Sequence, residues 1–319
     1  MIKRRILSTA LASVLIISSF APQAMAANAK IPTSSSSSVS AVETDGSTGG
    51  VFVNTIDGKK IMDYPVSEEL KQAQEKKSTM ADLHIIYKKG QITKDTYVTK
   101  LKDLGVSADI INTVSNAKTF NAAISNVNIS QTISSLTSSQ NVIIPFYQMP
   151  QETGYYCGPA TASELLYART FNLIPQSTLA GPLRCTTDGT PWYDTLGATG
   201  YPMRDTLNSF NGNTFYVPYG TYVAADEFQS KVITDIDFNY GTAGDAWEIP
   251  GGPHLIGHPI GSTIYHWFAI WGYANSGSSI YYKDSVAGSS ISWSGNVPAS
   301  SAMDYTTLAR IVNGRGIMW

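Results

Sequence analysis

Apolar and polar positions follow several distinct rhythms along this chain. An unbroken apolar run extends from Ile6 to Phe20, and residues 33 to 50 are then rich in Ser, Thr and Gly without periodic apolar residues, the texture of a flexible linker. "VFVNTIDGKKIMDY" alternates apolar and polar positions on both sides of Asp57-Gly58, which predicts a β-hairpin. From Ser67 to about Val127 the spacing becomes helical: Ser67, with Glu68 and Glu69 behind it, and Thr93 stand as N-caps, with Gly90 and Gly105 as stops. Past residue 140 the apolar runs shorten to "NVIIPF", "TFYVPY", "HWFAIWGY" and "SIYYKDSVA", separated by turn-forming clusters. Strands should dominate that half, with one clear early helix.

The early helix is "CGPATASELLYAR". Pro159 suits the first helical position, and Ala162, Leu165, Leu166 and Arg169 follow at helical spacing, so Cys157 falls at the helix N-terminus. Unpaired N–H groups and the helix dipole present positive potential there and favour a thiolate over a thiol. Gly158, without a side chain, leaves room for a substrate backbone beside the sulfur. Acyl transfer also needs an imidazole, a group to orient it and donors for the oxyanion. His266 opens the buried-strand run "HWFAIWGY". Asp284 ends the next strand after the turn "ANSGSS", and a hairpin centred between Asn275 and Gly277 pairs position 284 with a residue between 266 and 270. Gln151, six residues before Cys157, is close enough to add its amide to the Cys157 backbone N–H as an oxyanion donor, with Gln148 as its competitor.

Composition narrows the setting. The basic start Lys3, Arg4 and Arg5, the apolar run and the pattern Ala24-Met25-Ala26 describe a secretory signal cleaved after Ala26. No later segment reaches the roughly 20 apolar residues of a membrane span. The formal charge of −2 disfavours a nucleic-acid partner. From Asn141 onward seven basic residues stand against thirteen acidic ones, while most lysines lie earlier, which sets a boundary near residue 140. The expected organisation is therefore a signal at 1–26, a Ser/Gly-rich linker at 27–50, a small helical module at 51–140, and a catalytic domain at 141–319. The module is either an intramolecular pro-region or an accessory domain. With only two cysteines, the competing reading of Cys157 is a disulfide with Cys185. His254 and His258 have the i, i+4 spacing of a metal pair, but the Gly and Pro around them break any helix, so neither a metal nor another cofactor is expected. The doublets Tyr155-Tyr156 and Trp192-Tyr193 are of a kind that lines a substrate cleft, though aromatics in a strand-rich domain more often fill the core, and Trp192 is the first to test.

"Gln-x5-Cys-Gly-Pro-Ala" at 151–160, His-Trp at 266, a Gly-Tyr strand end and "Lys-Asp-Ser" with Asp284 resemble the bacterial double-glycine (bacteriocin-processing) peptidase-like family of the papain superfamily. "TTDGTPWYDTLGATGYPMRDTLNSFNG" is similar to the stretch that family places between Cys and His, and the likeness runs from about Val142 to Ala287. Where that family commonly carries Asp-Pro, this chain has Asp284-Ser285. The resemblance implies an α+β papain-like fold with the nucleophile helix packed on an antiparallel sheet. It further implies Cys157 as nucleophile, His266 as general acid/base, Asp284 orienting His266, Gln151 in the oxyanion hole, and a peptide or protein substrate, which the signal pattern places outside the cell or at the bacterial cell surface. Transglutaminase-like acyl transfer on the same fold, or a catalytically silent binding module, are the alternatives.

Overall fold

A computed structural model describes residues 44–45, 49–116 and 140–319. The expected signal, most of the linker and the last part of the helical module lie outside the described residues, which all belong to one compact unit, Val42–Trp319.

The expected hairpin is present as β2 (Gly50–Ile56) and β3 (Lys59–Asp63), with β1 (Thr44–Asp45) on its edge, all antiparallel. Asp57 and Gly58 take φ of 49° and 79°, the left-handed pair that a two-residue hairpin turn demands. Three helices follow, α1 (Glu68–Lys88), α2 (Lys94–Asp103) and α3 (Ala108–Asn116). The Ser67 and Thr93 hydroxyls accept from Leu70 N and Thr96 N, each at 3.2 Å, as the cap pattern requires.

The rest is built on a seven-stranded antiparallel sheet of β4 (Asn141–Val142), β5 (Pro218–Gly220), β6 (Thr242–Glu248), β7 (Ile264–Ala274), β8 (Ser279–Lys283), β9 (Ser300–Asp304) and β10 (Gly316–Met318). The order is β5-β10-β6-β7-β8-β9, with β4 pairing with β7 off that path. Five helices complete it: α4 (Cys157–Thr170), α5 (Gln176–Ala180), α6 (Pro202–Asn211), α7 (Ala225–Asp237) and α8 (Tyr305–Val312). This half therefore holds more helix than its alternating runs suggest. In α7, Phe228, Val232 and Ile236 do recur every four residues, but within a segment short enough to read as a connection. The arrangement is a mixed helix and antiparallel-sheet fold.

Strands β6 and β7 form the centre. Trp267, Phe268, Ala269 and Ile270 are buried in succession, as in a strand covered on both faces, and α4, α7 and α8 pack against this pair. The N-terminal segment is anchored to the same body. Lys59 Nζ donates to the carbonyls of Arg310 and Ile311 near the end of α8, at 2.6 and 3.0 Å. Where α1 lies on α7, Lys77 pairs with Asp235 at 3.0 Å.

Candidate active site

Cys157 is the first residue of α4, and its burial comes from the body of the fold around it. The first intrahelical bond runs from Ala160 N to Tyr156 O, and the N-cap, Tyr156, makes no side-chain hydrogen bond to the helix start. The amides at 157 and 158 thus precede the helical ladder and keep their positive potential. Gly158 has a different reason from the one its sequence position suggested. A Cβ there would meet Thr190 Oγ1 at 2.2 Å, so the missing side chain makes room for Thr190, and the helix can sit close to the loop that carries it.

His266 reaches the sulfur from β7, and a hydrogen bond joins the two side chains. Its Nε2 faces Asp284 Oδ1 at 3.0 Å. The 3-10 turn Asn275–Gly277 centres the β7–β8 hairpin as expected, and Ala269 faces Lys283 at its end. Continuing that register brings residue 284 level with 268, two residues from His266 on the same strand face, so the imidazole and carboxylate meet on a diagonal. Asp284 Oδ1 also accepts from Val286 N at 2.9 Å, and Gln148 Nε2 donates to the carbonyls of Asp284 and Ala287. Gln148 thereby holds the backbone of the carboxylate loop.

The charges are strongly coupled. Burial alone would lower the pKa of His266, but the charge and hydrogen bond of Asp284, with the hydrogen bond to Cys157, raise it well above 6.5. Burial would raise Asp284, yet His266 and His258 hold it far below the usual carboxylate range.

Gln151 is buried and tied into the loop that follows Asp284. Its N–H donates to Ser285 O at 2.8 Å, its Oε1 accepts from the Ser285 hydroxyl at 3.2 Å, and its Nε2 donates to Thr153 O at 2.8 Å. A proline at 285 would offer no such hydroxyl. The structure thus brings Cys157, His266 and Asp284 together by side-chain contact, whereas Gln151 is fastened to Thr153 and Ser285, neighbours of the group.

His258 is the member that sequence reasoning missed as part of this cluster. Its Nε2 faces Asp284 Oδ2 and its Nδ1 faces Glu248 Oε2, both at 2.9 Å. His254, weighed beside it as a metal partner, bonds instead to the carbonyls of Gly252 and Ser262. The available signal was the acid Glu248 at the end of a strand, ten residues before a histidine in a constrained Gly/Pro loop. Polar atoms of His258, His266 and Asp284 lie within 4.8 Å of one another and are of types that can ligate zinc. Here both histidine nitrogens already have Asp284 oxygens as partners, so the cluster is satisfied without an ion.

Both cysteines are free thiols. Cys185 Sγ lies 3.3 Å from Tyr155 O, and burial raises its pKa. Beside Cys157 opens a cleft of about 430 Å³ whose walls include Trp192, Tyr265, Trp267, Asp245 and Tyr64. Trp192 does both things the sequence allowed: it is buried in the core, stacked on Trp267 at 5.9 Å, and it lines the cleft. Tyr64 comes from the connection between β3 and α1 and stacks on Tyr193 at 4.8 Å, a contribution from the N-terminal segment that sequence periodicity had no means of indicating. Among the described residues, no helix is long and apolar enough to cross a membrane.

The family model described as "Peptidase_C39 like family" matches residues 140–304, just over half of the chain. No curated protein matches it.

Proposed function

The chain belongs to the Peptidase_C39-like family, and from that premise we propose that it is an exported cysteine peptidase of papain-like design, hydrolysing peptide bonds with Cys157 as nucleophile. The observation that carries this reading is the buried imidazole of His266, hydrogen-bonded on one side to Cys157 at a helix N-terminus and on the other to Asp284. Export rests on the N-terminal pattern of residues 1–26.

In this mechanism Cys157 Sγ, its proton passed to His266, attacks the scissile carbonyl. The oxyanion receives hydrogen bonds from the Cys157 backbone N–H and the Gln151 amide. An amide nitrogen carries two N–H bonds, and Thr153 O takes one, which leaves the second for the substrate. His266 then returns its proton to the leaving amine, and a thioester to Cys157 remains. Water, deprotonated by His266, attacks the thioester and releases the carboxylic acid, while Sγ recovers its proton through His266. Asp284 orients the imidazole and stabilises its charged form throughout.

The test is to treat the exported protein with an irreversible epoxide or chloromethylketone peptidomimetic and locate the adduct by mass spectrometry. An adduct on Cys157, absent when His266 is changed to Ala, is the expected outcome. No adduct, or one on Cys185, overturns the assignment. Incorporation of an added amine in preference to water would reassign the reaction to acyl transfer.

A further inference from the structure

Asp284 is gripped from two sides. His266 takes Oδ1 at 3.0 Å and His258 takes Oδ2 at 2.9 Å, while the far nitrogen of His258 lies 2.9 Å from Glu248. Glu248 is itself anchored, its Oε1 accepting from Leu255 N at 2.9 Å. The side chain of His258 has no exposed surface, and Trp293 closes over it at 4.7 Å between ring centres.

Carboxylates only accept hydrogen bonds, so an imidazole placed between two of them satisfies both only when both of its nitrogens carry protons. We infer that His258, kept as an imidazolium by Glu248, is a positioning residue that fixes the Asp284 carboxylate and limits how tightly it holds the His266 proton. This rests on the peptidase reading of Cys157 and His266. The ring centres of His258 and His266 are 5.3 Å apart, and two cations sharing one anion at that distance oppose each other. Burial pulls the pKa of His258 down, but the bonds to Asp284 and Glu248 leave it raised. Without the second cation, Asp284 would lend its whole charge to His266, and the proton needed by the leaving amine would be harder to release.

The surrounding titratable and charged groups allow this. Cys157 and Glu164 face the cluster from α4, Asp245 and Glu248 from β6, and Tyr282 from β8, while Lys283 lies near Glu164 and Arg315 beside Asp245. Burial raises Glu164 well above the usual range and Asp245 to about 7, and Glu248 is the carboxylate besides Asp284 within hydrogen-bond reach of His258.

The experiment compares E248Q and the double variant H258Q/E248Q with wild type in the full chain. In E248Q the glutamine preserves the shape and lets a neutral His258 still donate to Asp284. The alkaline limb of kcat/KM should then move up by about half to one pH unit, the scale of a nearby like charge removed, with kcat reduced several-fold. The double variant should show the same upward shift and a larger loss in kcat. A limb unmoved in both variants, or moved down, overturns the inference. A measurement independent of variant folding and of turnover is histidine ¹⁵N NMR of the wild type. His258 should keep both ring protons beyond pH 7, and a neutral His258 at pH 6 overturns the inference. If inhibitor labels Cys157 but no peptide is hydrolysed, the peptidase reading fails, while the NMR result still decides the charge of His258.

Discussion

Where α1 lies on α7, Lys77 meets Asp235 at 3.0 Å, and His84 and Lys88 meet Asp237 at 2.8 and 2.6 Å. Beneath the cleft, Cys157, His266, Asp284, His258 and Glu248 form a chain in which acids alternate with bases. Both clusters are ionic, and Asp237, like Asp284, is held low by its partners, to about 2, but the Lys77–Asp235 pair deals with desolvation differently. Burial lowers Lys77 to about 8 and raises Asp235 to about 6, so loss of water outweighs mutual attraction on both partners. Lys77 is further enclosed by the rings of Phe215 and Trp319, 3.5 and 4.6 Å from its ammonium. In the site, each imidazole shares a carboxylate and burial loses to pairing. His258 and His266 are raised and Asp284 is depressed. The Lys77–Asp235 pair joins the N-terminal segment to α7 at an electrostatic cost. The second cluster sets two imidazoles on one carboxylate beside the Cys157 thiol.

Their pH dependences follow opposite signs. The raised histidines contribute stability that is complete below 6.5 and fades as pH climbs through their folded values. Asp284 contributes above 3.8 and loses that contribution only as pH falls through its depressed value. The site cluster therefore stabilises most between about pH 4 and 6.5. The contribution of Lys77 is present above 10.5 and lost as pH falls through about 8, and that of Asp235 is present below 3.8 and lost as pH rises through about 6. Between 6 and 8 this pair is charged on both sides and least favourable.

The largest effect that would separate the two clusters is loss of chemistry without loss of fold. Cys157→Ala should take peptide hydrolysis to background with an unchanged melting temperature, and residual turnover would break the contrast. Next comes Asp284→Asn, which removes the anion behind His266. We expect kcat/KM to fall roughly a hundredfold and the alkaline limb to move down, since the imidazolium loses the partner that raises it. A pH–rate series measures both. At the interface the effect should appear in stability. Lys77→Ala leaves Asp235 buried without its ion-pair partner and should cost about 3–5 kcal/mol in denaturant unfolding, whereas K77M/D235L should recover most of that loss. Equal losses in the single and double variants would contradict the electrostatic cost of the pair. The smallest expected effect tests the cleft wall contributed by the N-terminal segment. Tyr64→Ala removes the ring stacked on Tyr193 and should raise KM a few-fold with kcat nearly unchanged, measured on a series of peptides.

Much of the site was legible as local pattern. Pro159 and the apolar spacing behind it placed the start of α4 to within two residues, the helix beginning at Cys157 rather than at Pro159, and the Asp57-Gly58 hairpin and the Ser67 and Thr93 caps follow from turn and cap chemistry acting within a few residues. The β7–β8 turn bounded Asp284 to the neighbourhood of His266, because antiparallel register depends on where the turn is centred. α7 and α8 were harder to see because each is a short periodic stretch between turns.

What the amino-acid order settled alone was the local grammar: a cysteine opening a helix, a histidine on a buried strand, an acid one hairpin away. Packing decided the rest. His258 became Asp284's second partner, Thr190 took the space left at Gly158, and Lys77 and His84 crossed more than 150 residues to meet Asp235 and Asp237. Turns and helices arise from interactions a few residues long, so sequence spacing encodes them. Pairings between distant buried charges depend on which surfaces the folded core brings together, and that is a property of the whole chain's burial.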